Sequence, residues 1–156
     1  LTPELELLDG YGRLQGVVYR PGDERFEGRS AEKAVASVGD EPECVMVNRN
    51  RGSGTRILID RLLAGRQPPG YAVQSRSHNA VAASVAQGRA DWGVAIETVA
   101  RRSELGFLPL EDEHYDFAVP GARWDRPAVV AFRRLLARPA VRRELARMGF
   151  RVEGEE

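Results

Sequence analysis

A single cysteine, Cys44, leaves the chain no internal disulfide. It sits in the apolar run Cys44-Val45-Met46-Val47, where a thiol is a small buried hydrophobe rather than a nucleophile. His78 and His114 are the only histidines, too few for a persuasive metal site, and no Cys/His spacing suits zinc. No metal and no cofactor are therefore expected. Lys33 is the only lysine, so the cationic groups are almost all guanidinium, which suits oxyanions better than ammonium does; an arginine bias can equally reflect genome base composition. Charge of one sign is not in excess: Lys+Arg and Asp+Glu are both 23, which argues against a nucleic-acid-binding surface as the main purpose. No apolar stretch approaches the ~20 residues of a membrane span. The first residues, Leu1-Thr2-Pro3-Glu4, lack the basic and apolar regions of a signal peptide and an initiating Met. A fragment or processed product is the expectation, with a cytoplasmic location by default. No nucleophile–base–orienter set is present, so no catalytic residue is assigned.

What is present is ordinary for a globular protein. With 42% apolar and 29% charged residues, 156 residues suit one domain, or one lobe of something larger. Residues 14–19 read as a strand closed by Pro21-Gly22-Asp23, and Ser30 caps a short helix over 31–38 stopped at Gly39. Residues 44–47 form a buried strand. Gly52-Ser53-Gly54-Thr55 leads into a helix over 56–63, with Gly65 ready to end it. Pro68-Pro69-Gly70 breaks the chain before a strand over 71–74. Ser77-His78-Asn79 precedes a helix over 80–87, followed by a strand at 91–96 and a short helix at 97–102. Residues 107–110 and 115–119 look extended, flanking an acidic turn at Glu111-Asp112-Glu113. Pro127 and Pro139 open two last helices, and residues 151–156 read as a disordered tail. Short strands alternating with helices define an α/β fold with a mostly parallel sheet.

Such sheets bind ligands beyond the carboxyl ends of their strands, where loops lead into helix N-termini. Two junctions qualify. In Asn48 to Arg56, glycines allow close backbone approach and helix-start amides carry positive partial charge. Ser53 and Thr55 add hydroxyls, and Arg49, Arg51 and Arg56 add cations, a combination suited to an oxyanion or carboxylate. The spacing is not that of a Walker loop. Capping of the helix by Ser53 or Thr55 is the plainer alternative. The second junction is Ser75-Arg76-Ser77-His78-Asn79, where Ser77 and Asn79 can cap and His78 can donate to a ligand. Asp91-Trp92 and Tyr115 are further cleft candidates. The ligand set is thus Arg51, Gly52, Ser53, Gly54, Thr55, Arg56, Ser77, His78, Asn79, Asp91 and Tyr115. An enzyme built on His78 and Asp91 and a self-associating, non-binding domain are the other readings.

The run Val47-Asn48-Arg49-Asn50-Arg51-Gly52-Ser53-Gly54-Thr55-Arg56 is similar to the V-N-R-x-x-G-S/A-G-T-R motif of the type II periplasmic-binding-protein-like domain, which is found fused to molybdopterin-biosynthesis proteins and helix-turn-helix regulators. Gly70-Tyr71, residues 77–86, Gly88-Arg89-Ala90-Asp91-Trp92-Gly93 and residues 107–116 also resemble it, and residues 15–22 look like its strand crossing between lobes. The resemblance covers roughly residues 11 to 150. It implies a partial two-lobed fold within residues 1–150: a first-lobe and crossover remnant (1–40), the second lobe (41–110), and a return strand with C-terminal helices (111–150). On this resemblance, the family's earlier first-lobe region is expected to have no counterpart here. The resemblance further implies a small oxyanion ligand of the molybdate or tungstate class, held by the hydroxyls and amides of the Ser53/Thr55 loop. Its setting would be molybdenum-cofactor biosynthesis or molybdate sensing. A homo-oligomer, or the missing first lobe, would cover the exposed half cleft; no membrane and no direct nucleic-acid contact are implied.

Overall fold

A computed structural model describes residues 4–152 and shows an α/β fold. Its strands are β1 (Leu5–Tyr19), β2 (Met46–Arg49), β3 (Gln74–Ser75), β4 (Trp92–Ile96) and β5 (Gly106–Pro120). Its helices are α1 (Ala31–Val38), α2 (Gly54–Leu63), α3 (His78–Ala86), α4 (Glu97–Arg102), α5 (Pro127–Leu136) and α6 (Pro139–Arg147). The strands form one sheet in the order β3-β2-β4-β1-β5. By contacts the chain divides into two units, Leu14–Glu111 and Leu1–Arg13 with Asp112–Glu156. Strands β1 and β5 contribute residues to both.

In the larger unit the sheet is mixed rather than mostly parallel. β2 runs parallel to β3 and β4, but β1 pairs antiparallel with β4, Gln15 opposite Ile96 and Tyr19 opposite Trp92. Local sequence pattern does not carry strand direction, which shows only in the register of β1 against β4. Side-chain alternation along the strands then feeds two cores. Val17, Tyr19, Met46, Trp92 and Val94 meet α1 and α2 through Val35, Val38, Ile59 and Leu63. Val18, Val47 and Ala95 meet α3 through Val81 and Val85 on the other face. Gly70 has a steric reason to be glycine: φ is 84° and an added Cβ would lie 1.9 Å from the Met46 carbonyl oxygen.

Several boundaries move. β1 begins at Leu5 rather than residue 14, since Gly10 and Gly12 are accommodated within the strand instead of breaking it. The acidic turn expected at Glu111-Asp112-Glu113 is part of one continuous strand, β5. Its carboxylates meet arginines, Glu111 with Arg61, Asp112 with Arg151 and Glu113 with Arg13. Arg151 is not tail: it forms a bridge with Gly12, with amide–carbonyl bonds in both directions. Residues 153–156 lie outside the described residues. Helices α1 and α4 match their expected spans.

The smaller unit is held by rings. Tyr11 stacks on Tyr115 with centroids 5.8 Å apart and lies 4.8 Å from Phe150, while Phe117 meets Phe132 edge-on at 4.9 Å. Neither α5 nor α6 contains a buried residue, and Leu5, Leu7, Phe132, Leu135 and Met148 are exposed.

Cys44 is fully buried, and that burial pushes its thiol up to about 11. Because only the thiolate is nucleophilic, the folded chain is expected to be inert to Ellman's reagent at pH 8. One thiol should titrate after denaturation.

Candidate functional site

The parallel pairing places the carboxyl ends of β2, β3 and β4 along one edge of the larger unit, Arg49 beside Ser75. From β2 the chain goes outward to β3, whereas from β4 it goes the opposite way to β5. The adjacent ends of β2 and β4 therefore form the point where connections diverge, the place where open α/β sheets form a crevice. α2 and α3 both start at this edge.

Each start is built the same way. Ser53, extended at φ −83°, caps α2 by accepting from the Arg56 amide at 3.2 Å. Ser77 caps α3 by accepting from the Ala80 amide at 3.1 Å. The expected capping role is therefore real for both serines. It leaves the first amides of each helix, those of Gly54, Thr55 and Asn79 among them, directed at the edge with the positive end of the helix dipole behind them. The two starts are tied together. The Asn50 amide donates to the Ser75 carbonyl at 3.1 Å, and the Arg51 amide donates to Gln74 Oε1 at 3.3 Å. Arg51, Gly52 and Asn79 are exposed, so the site is open to solvent.

The arginines divide their work. Arg51 is exposed, on the loop between β2 and α2. Arg56 is only 5% exposed, and its guanidinium is committed internally. It donates to the Arg49 carbonyl at 3.2 Å, to Tyr71 Oη at 2.7 Å and to Asp60 Oδ1 at 2.8 Å. Burial works against its charge, but the Asp60 and Tyr71 contacts outweigh this and raise its pKa. Arg56 thus positions the loop between β2 and α2. Buried Arg49 brings Nη1 to 3.1 Å from His78 Nδ1, linking the end of β2 to the first turn of α3.

Two predicted residues lie elsewhere. Asp91 precedes β4, at the amino edge and about 16 Å along the strand from its carboxyl end. There it accepts from Arg20 at 2.8 Å, from Arg25 at 3.1 Å and from the Val45 amide at 2.8 Å. Burial alone would raise its carboxyl, but the Val45 amide and the two guanidiniums hold it below the ordinary value. The expectation of Asp91 in the cleft is corrected: a residue entering a parallel strand stands at the edge opposite the ligand loops. Tyr115 belongs to the smaller unit, where its ring also lies 5.0 Å from Arg13. In that unit Asp9, His114 and Asp116 form an exposed set, His114 Nε2 lying 2.8 Å and 3.0 Å from the two carboxylates, near enough to share one cation.

Two residues at the edge carried no sequence signal. Gln15 is 4% exposed and Thr98 is 7% exposed. With Asn48, Arg49, Thr55 and Arg56 they make up every buried polar or charged side chain among the described residues. All six sit at the carboxyl ends of β2 and β4, the helix starts that follow, or the residue of β1 opposite Ile96. Buried polar groups are costly in an apolar core, and these six side chains lie at the edge of the candidate site.

This arrangement is that of a periplasmic-binding-protein-like α/β unit. The chain matches the PBP superfamily domain over residues 1–137 and belongs to that family. It is 38% identical over 79 residues to YvgK of Bacillus subtilis (strain 168), a match spanning 47% of this chain and 26% of that protein. Among solved structures it resembles the Synechocystis CcmR regulatory domain in complex with 2-PG, at TM-score 0.65 and 18% identity, covering 86% of this chain and 66% of that one. The ancestral amino acid-binding protein AncCDT-1, a precursor of cyclohexadienyl dehydratase, superposes at TM-score 0.60 and 14% identity over 92% of this chain and 61% of its own. An ABC-type phosphate transport receptor from Vibrio cholerae superposes at 0.57 and 11% identity over 95% of this chain and 72% of its own. At these identities the likeness is one of fold. The chain spans roughly two thirds of these structures' length and far less of YvgK.

Proposed function

We propose that the chain is a small-ligand-binding module that holds an oxyanionic group at the N-termini of α2 and α3. A molybdate- or tungstate-class anion is its simplest occupant, and molybdenum-cofactor biosynthesis or molybdate sensing its setting. The observation that carries the reading is the pairing of Arg49 with Ser75, which brings two capped helix starts side by side at the diverging strand ends. Outward amides and helix dipoles favour negative charge there, and Arg51 adds a full positive charge. The Ser53/Thr55 motif and a fold shared with a phosphate receptor support the same reading. The exposed apolar residues of the smaller unit support a covering partner, a second copy or a first lobe.

An enzymatic reading on His78 and Asp91 requires both in one cleft, and they stand at opposite edges of the sheet. Isothermal titration of the folded chain with molybdate, tungstate, sulfate and phosphate tests the proposal. Saturable heat with at least one anion is expected. No heat with any of them would remove the simple-anion version.

A further inference from the structure

The anion site makes no use of the one cluster of metal-ligating side chains among the described residues, which lies in the smaller unit. His114 and Asp116 stand two residues apart on β5, so alternation puts both side chains on one face of the strand. β1 lies beside β5 in the sheet, and an added Cβ at Gly10 would meet the Tyr115 carbonyl oxygen, which sets Asp9 beside this stretch. His114 Nε2 thus lies 2.8 Å from Asp9 Oδ1 and 3.0 Å from Asp116 Oδ1. One donor atom from each residue falls within 4.8 Å of the other two. The sequence carries no spacing for this set, because Asp9 and His114 are 105 positions apart.

The charges around the set are uneven. Neighbouring carboxylates on β5 each meet a guanidinium, Asp112 with Arg151 and Glu113 with Arg13. Asp9 and Asp116 form their ion pairs, among the described residues, with His114 alone. Two carboxylates therefore converge on one imidazole, and a neutral ring leaves both negative charges uncompensated at close range. A dication would neutralise both. Ligand atoms held at ~2.0–2.2 Å by one tetrahedral zinc ion stand about 3.4 Å apart, close to the separations found here.

We propose that Asp9, His114 and Asp116 form a site for a divalent first-row transition metal, of which zinc is the representative. His114 Nε2 and one oxygen of each carboxylate are the ligands. The three side chains are 40–60% exposed, so water completes the shell. The imidazole sets the class: nitrogen ligands suit zinc, nickel and copper, whereas magnesium and calcium take oxygen alone. The other soft donors of the chain are poorly placed for such an ion. Cys44 is fully buried, and His78 lies against the Arg49 guanidinium, which repels a dication. The metal site stands whether or not the helix starts hold an anion.

Isothermal titration of the folded chain with Zn2+, in a buffer that does not bind metal, tests the proposal. The native chain is expected to take up one Zn2+ saturably, and a large excess of Mg2+ should not displace it. His114→Ala removes a direct ligand and should weaken binding by at least about tenfold. Asp9→Asn and Asp116→Asn keep the side-chain shape, remove one charge each, and should weaken it comparably. Zn2+ should also raise the melting temperature of the native chain and leave that of His114→Ala unmoved. The two Asn variants carry the test should His114→Ala disturb the fold. No saturable heat with Zn2+, an affinity unchanged in all three variants, or Mg2+ bound as tightly as Zn2+ overturns the proposal.

Discussion

Replacing Asp91 with Ala is expected to cost about 3 kcal/mol of folding stability, because it removes an acceptor shared by two guanidiniums and the Val45 amide. For a chain of this size that is a fall in melting temperature on the order of 10 °C. Its side chain is 18% exposed, and the Arg20 and Arg25 side chains are 37% and 32% exposed, so water offsets part of the loss. The Val45 amide has no such recourse. The network also sets a pH window. Arg25 holds the Asp23 carboxyl below its ordinary value of 3.8, and the contacts already described do the same for Asp91. Depressed carboxyls contribute stability that is fully present above the unfolded pKa of about 4 and is lost as pH falls through the folded values. Native stability should therefore decline below about pH 4, and Asp91→Ala should lose less over that interval. Thermal melts across pH 2–7 measure both. Anion affinity, measured where the variant is folded, should be unchanged, because Asp91 stands at the opposite edge.

The converse is expected at Gly52. Its φ is 85° and an added Cβ meets nothing within 4 Å, so Asn and Asp, which tolerate left-handed backbone best, fit without a clash. Gly52→Asp puts a carboxylate beside Arg51 and the α2 start. A charge about 6 Å from a divalent anion, in the partly wet environment of an open edge, repels it by about 1.4 to 2.7 kcal/mol, a 10- to 100-fold loss of affinity. Gly52→Asn carries the same backbone strain without the charge and should bind within about twofold of native. Added salt should narrow the gap between the two variants. Equal affinities for Gly52→Asp and Gly52→Asn would place the anion somewhere else. Together the Asp91 and Gly52 variants separate folding from binding.

The elements most legible in the sequence are those with local punctuation. Ser30 and Gly39 frame α1 at its observed bounds, and the serines at 53 and 77 mark the helix starts that build the site. The structure brings Arg51 to Arg56 and Ser77 to Asn79 to one edge, and it does not bring Asp91 there. The reason is legible in chain order, since Asp91 precedes its strand whereas ligand loops follow theirs. Gln15 is not legible in the same way. A glutamine within an apolar strand carries no motif, and only its register against Ile96 shows that it reaches the edge of the candidate site. The continuity of β5 through Glu111-Asp112-Glu113 depends likewise on arginines distant in sequence, which neutralise carboxylates that local propensity assigns to a turn.

On the proposed function, the start of α2 and the start of α3 form one anion site. Backbone amide shifts during titration of the folded, isotope-labelled chain with the tightest-binding anion test it most directly. The largest saturable shifts are expected to fall together on Gly54, Thr55 and Asn79, with one dissociation constant. Shifts concentrated instead on the arginine-rich helices α5 and α6, around Arg133, Arg134, Arg142 and Arg143, with the α2 and α3 amides unmoved, would contradict it.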